Sequence, residues 1–178
     1  MLKHELMDEA FAINDNTNLK KIQNVRIKLR NYLKDHGEDY QIRNVIIMLD
    51  IFVIENKYED YGKCYEIAES VFETLSKIDK WDFYDIRAIV PLIDYCSPDF
   101  EQIDYQANII LQKLEDYSHE NRYHPIKSAI HMNMLFRLLR IRFLERIDMQ
   151  NKEVVRRLEN TFLKHYNAIQ NHNVFNTL

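Results

Sequence analysis

The sequence predicts an all-α protein, built as an array of antiparallel helical hairpins about eight helices long. Three observations carry that expectation. Two glycines and three prolines punctuate 178 residues, too few for the tight turns that sandwiches and barrels consume. Apolar residues recur with the 3.6-residue period of a helix along most of the chain. Helix starts also repeat: helices two, four and six begin near residues 18, 60 and 99, and helices three, five and seven near 38, 82 and 124. Two helices every ~40 residues is the signature of stacked hairpins. No strict tetratricopeptide consensus is present, so the expected superhelix is TPR-like only; an irregular bundle is the competing architecture.

The first helix is expected over about Leu2 to Asn14. The second runs from about Asn18 to Asp35, with Leu19, Ile22, Val25, Ile27 and Leu29 apolar and Gly37 just beyond. The third, about Glu38 to Glu55, is apolar almost all round and therefore buried. The fourth, about Asp60 to Ile78, repeats apolar residues at Ile67, Val71, Phe72 and Leu75. The fifth starts after Asp79 or Asp82, either able to cap free backbone N–H groups, and reaches about Cys96. Pro91 lies inside it and must loosen it, having no N–H and clashing with the preceding turn. Ser97-Pro98 opens the sixth as N-cap and first helical residue, ending near Ser118. His124-Pro125 opens the seventh, which runs to about Ile147. The eighth spans about Asn151 to His172, followed by a tail.

With 46% apolar and 29% charged residues, the chain can bury a core and solvate a surface. Its length suits one domain, residues 1–178. No apolar run reaches the ~18 residues of a membrane span, Val45 to Ile54 being broken by Asp50. Met1 to Glu9 mix charged and apolar positions, unlike a signal peptide. Cys64 and Cys96 form no CxxC pair, as expected of free thiols in the cytoplasm. The net charge of −4 conceals a gradient: residues 38–120 carry −12, while residues 121–178 carry +6 and residues 1–37 carry +2. The basic end suits an acidic partner or peptide terminus. Direct contact with DNA is not expected at a near-neutral pI, even at Arg156 and Arg157.

No chemistry of catalysis is visible. Seven histidines are present, but there is no HExxH, Glu-x-x-His or Cys/His knuckle spacing, so no metal site is expected. Glu115 and His119 lie four apart, as many exposed helix pairs do. His131 reads as a satisfied core histidine. Two isolated glycines cannot build a phosphate loop, no G-x-S-x-G elbow occurs, and Asp15 and Asp35 fall in loop-like contexts. No cofactor is expected.

Binding is the function this pattern favours. Along the apolar seventh helix, Asn133, Arg137 and Arg140 form one polar line at i, i+4 and i+7. An Asn amide can clamp a peptide backbone, and arginine forks hold carboxylates. Tyr84, Arg87 and Asp94 form a similar line around Pro91 on the fifth helix. Gln41, Asn44 and Met48 offer another on the third, and Tyr84, Tyr95 and Tyr105 supply amphipathic rings.

The stretch from Ile78 to about Leu144 resembles the C-terminal domain of the Rgg/GadR/MutR transcription regulators. Lys80-Trp81-Asp82-Phe83-Tyr84-Asp85-Ile86 is similar to the family's W-x-x-Y-E-L helix start, with Asp-Ile in place of Glu-Leu. The Ser97-Pro98-Asp99-Phe100 step and a seventh helix with a central Asn133 follow. Met7 to Tyr32 resembles the family's first helical repeat. The resemblance implies a TPR-like domain that forms a homodimer, or pairs with a full-length regulator, and binds a short hydrophobic signalling peptide on its concave face. It also implies an N-terminal helix-turn-helix, for which the residues before the second helix leave no room, so a fragment or a stand-alone sensor is expected. Asn133, Arg137, Arg140, Tyr84, Arg87, Asp94 and Asn44 are the expected peptide-binding residues. The alternative is a helical-repeat protein–protein scaffold with no peptide ligand.

Overall fold

A computed structural model describes residues 2–13, 16–95, 100–144 and 152–175. Asp15, Cys96, the Ser97-Pro98-Asp99 step and the expected helix ends at Asn14, Ile147 and Asn151 lie outside these residues. Everything described is helix or short connection. The helices are α1 (Lys3–Phe11), α2 (Leu19–His36), α3 (Tyr40–Tyr58), α4 (Tyr61–Ser76), α5 (Phe83–Ile89), α6 (Phe100–Glu115), α7 (Tyr123–Leu144) and α8 (Lys152–Phe175), with a 3₁₀ helix over Val90–Tyr95. No described helix is long and apolar enough to cross a membrane. The chain divides into two compact units, Met1–Tyr95 and Cys96–Leu178.

In the first unit, consecutive helices pack on one another from α1 to α4, and α3 also receives α1 and α5. That central place explains the all-round apolar character of α3: Ile42, Val45, Leu49 and Ile51 are wholly buried. The outer helices bury one stripe each. In α4 it is Cys64, Ala68, Val71 and Leu75, spaced i, i+4, i+7 and i+11 as a single face requires. Ile22, Val25 and Leu29 do the same for α2.

The helix ends follow local chemistry. The Asn18 side chain accepts the Lys21 N–H at 3.1 Å, and Asp39 accepts from Gln41 and Ile42 at 3.0 and 3.1 Å. Gly37 ends α2 at φ +87°, while Glu59 ends α3 at φ +53° with a side chain attached. Of the two candidate caps for α5, Asp82 serves, accepting from Tyr84 N–H at 2.6 Å and Asp85 N–H at 3.2 Å. The same carboxylate accepts from Gln41 Nε2 at 2.6 Å, tying the start of α5 to α3. Asp85 completes the network, accepting from Tyr40 Oη and Gln41 Nε2, both at 3.2 Å. Burial, with the neighbouring Asp82 charge adding, raises the Asp85 pKa. Burial likewise pushes the Tyr40 phenol up to about 12, with the Asp85 carboxylate reinforcing it. The expected fifth helix is shorter than its apolar pattern suggests. The α-helix stops at Ile89 and continues as the tighter 3₁₀ form through Pro91, because proline supplies no N–H to the ladder.

In the second unit α7 packs against both α6 and α8. α6 buries Ile103, Ala107, Ile110 and Leu114, and α7 buries Ile130, Met134, Leu135 and Leu138. α8 continues to Phe175, beyond the expected helix end.

Candidate functional site

The polar residues expected to bind peptide are largely occupied inside the fold. On α7, Arg137 is fully buried, and Asn133 and Arg140 are half-buried; all three are engaged with neighbours. On α5, Arg87 makes a 2.8 Å ion pair with Asp8 of α1 and lies over the Phe11 ring at 4.3 Å. Tyr84 Oη donates to Asp8 at a long 3.4 Å. Tyr84 and Arg87 therefore meet at one surface of α1. Asp94 is half-buried and engaged. Asn44 is buried in the first unit, its Nδ2 without a hydrogen-bond partner among the described residues.

What α7 shows to solvent is a second line at the same spacing, one residue earlier: Met132, Phe136 and Leu139, exposed by 37%, 54% and 36%. Leu139 leads into an apolar groove between α7 and α8, about 280 Å³ in volume. Leu138 and Leu139 form one wall; Val155, Leu158, Glu159, Phe162 and Leu163 form the other. Leu163 is 53% exposed at its edge, and Tyr166 is also exposed, standing parallel to Phe162 with ring centroids 6.5 Å apart. Among the described residues of the lining, Glu159 is the charged one. The neighbouring Arg156 and Arg157 are paired with Glu153 at 2.9 and 3.1 Å.

Further along the α7–α8 seam lies a buried polar pair. His131 and His165 are 5% and 0% exposed, with their Nδ1 atoms 2.7 Å apart. Seven residues separate His131 from Leu138, and seven separate Leu158 from His165. Those equal steps run in opposite directions on two antiparallel helices, so the histidine pair and the Leu138/Leu158 part of the groove share one seam, about 10 Å apart. Asp104 of α6 stands 3.6 Å from His165 Nε2, beyond ordinary hydrogen-bond length. Lys164 Nζ donates to Asp104 and to Asn108, each at 3.0 Å. The His165 contact, reinforced by Lys164 and Asn108 and opposed by partial burial, holds the Asp104 carboxyl well below the usual range. Among the described residues, no group of three or more His, Cys, Asp or Glu side chains is placed to hold a metal ion.

The groove had a signal in the sequence. Val155, Leu158, Phe162 and His165 follow one helical face, and Leu163 falls off that face with no charged residue to replace it. Compared with known proteins, the chain matches no family model, no curated protein and no solved structure.

Proposed function

We propose that this chain is a peptide-sensing and dimerising domain of the Rgg type, and that the α7–α8 groove receives a short, largely apolar peptide. The observation that carries this is the continuous apolar surface from Met132 through Phe136 and Leu139 into the groove. Monomeric proteins seldom expose such a strip without use for it. The groove volume of about 280 Å³ lies at the lower end of ligand pockets, suited to a few side chains and not to a large cofactor. Glu159 gives the site polarity, since a carboxylate beside an apolar wall favours a peptide amine or a basic side chain. The sequential hairpin packing supports a TPR-like arrangement, and the resemblance of Ile78 to Leu144 supports the regulatory role. In this reading Arg137 and Asn133 hold α7 from within and do not touch the ligand.

The test is fluorescence anisotropy with labelled apolar peptides of seven or eight residues, alongside light scattering for the homodimer. Leu163→Asp should weaken binding tenfold or more. It removes about half of a leucine's ~2 kcal/mol burial and puts a charge where the apolar part of the peptide would dock, which adds the cost of desolvating it. An unchanged melting temperature for this half-exposed position would show that the fold is intact. Binding that survives Leu163→Asp but fails in Tyr84→Ala and Arg87→Ala would return the site to α5. A monomer indifferent to every peptide would favour the scaffold function.

A further inference from the structure

We propose that the His131–His165 pair is an acid-sensitive latch that closes α7 onto α8 and so regulates the groove; the regulatory part rests on the groove being the binding site. Two imidazole Nδ1 atoms at 2.7 Å accommodate one hydrogen between them, one ring donating and the other accepting. One added proton is tolerated, because the cationic ring still donates from Nδ1 to the neutral one. A second added proton must sit on the accepting Nδ1. Two N–H groups would then face each other across 2.7 Å, on two cations inside a seam from which water is excluded. When the seam opens, each ring takes its proton from water independently.

Closed α7–α8 therefore binds one proton fewer than the open form on the acid side of ordinary histidine titration, about 6.5. A difference of one proton makes the opening constant rise about tenfold per pH unit. Charged groups stand around the pair. Asp104 of α6 lies 3.6 Å from His165 Nε2, and Lys164 of α8 pairs with that carboxylate at 3.0 Å. On α7, Lys127 lies one turn before His131 and is held by Glu115 of α6 at 2.7 Å. None of these contacts makes room for a second hydrogen between the two Nδ1 atoms. Leu138 and Leu158 line the groove and stand two turns along the same seam, so opening the seam at the histidines separates the groove walls.

Hydrogen exchange on the full chain tests the latch without any ligand. With intrinsic exchange rates corrected for pH, protection factors of the α7 and α8 amides should fall about tenfold per unit between roughly pH 6 and 5. The α2–α4 amides should hold over that range. His165→Gln, which keeps a hydrogen-bonding group but takes no second proton, should abolish the fall. If that variant does not fold, His131→Gln and the wild-type profile decide the matter. Flat wild-type protection across this range overturns the latch, and so does a fall that persists in either variant. Peptide binding at pH 7.5 is read separately. Its absence would sink the groove while leaving the exchange result standing. Binding that is retained with the same affinity from pH 7.5 to 5 would sink the regulation alone.

Discussion

Asp82 and Asp60 are both N-caps, yet their removal should differ in cost by about 1 kcal/mol. Asp60 accepts one backbone N–H, that of Lys63 at 3.0 Å, in an exposed setting. Its replacement by alanine should cost about 1 kcal/mol, the usual value of a cap. Asp82 caps α5 through two backbone N–H groups and also accepts from the buried Gln41 amide at 2.6 Å. A hydrogen bond to a charged acceptor is worth about 1.5–3 kcal/mol. Part of that survives Asp82→Ala, because Gln41 still reaches Asp85 at 3.2 Å. Loss of Asp82 also relieves the like charge that helps raise Asp85. The net expectation is about 2 kcal/mol for Asp82→Ala against about 1 for Asp60→Ala. Both caps lie in the first unit, and so does Trp81, the single tryptophan. Urea titration followed by its fluorescence therefore reports on the unit concerned, with equal slopes required for the comparison. Equal losses would refute the argument that the tie between α5 and α3 contributes to stability beyond capping.

Two further changes test the fold. Glu59 ends α3 with a left-handed φ of +53°, which costs a non-glycine residue about 1 kcal/mol; Glu59→Gly should raise the midpoint of urea unfolding by an equivalent ~0.5–1 kcal/mol, and a lower midpoint would count against this account. Asp104 has a folded pKa below its ordinary 3.8, so its contribution is present above that value and is lost as pH falls towards the depressed one. Wild-type stability should therefore drop below about pH 4 more steeply than that of Asp104→Asn, as read by circular dichroism melting across pH 2 to 5. The proton difference of the latch persists below pH 5, so the Asp104 effect is read from the difference between the two proteins and not from the window alone.

The fold was legible because its signals are redundant. The scarcity of glycine, the 3.6-residue period and the Asn/Asp caps all agree on helices, and agreement across levels is what makes a sequence specify a structure. Ends were legible where a side chain caps them, as at Asn18, Asp60 and Asp82, and less so where the backbone alone decides. Pro91 shows the limit. Its disruption was foreseeable, but the change to a 3₁₀ helix keeps Val90, Leu92 and Ile93 buried, and that depends on packing across the first unit.

The candidate site was harder to read because a helical stripe has no sign. On α7 the polar line Asn133, Arg137, Arg140 and the apolar line Met132, Phe136, Leu139 share one spacing and differ by one residue, a rotation of about 100°. Periodicity shows that two faces exist; it does not say which meets water. Composition favours the polar face outside, because a buried charge costs free energy unless its partners are built around it. Arg137 is nevertheless wholly inside and engaged, while Phe136 is 54% exposed. Such an inversion costs stability twice, by desolvating a guanidinium and by leaving an aromatic ring in water. Both costs shrink if the exposed line is covered when the protein works. The proposed binding surface on α7 and α8 accounts for both the inversion and the apolar groove beside it, and the buried His131–His165 pair lies on the same seam.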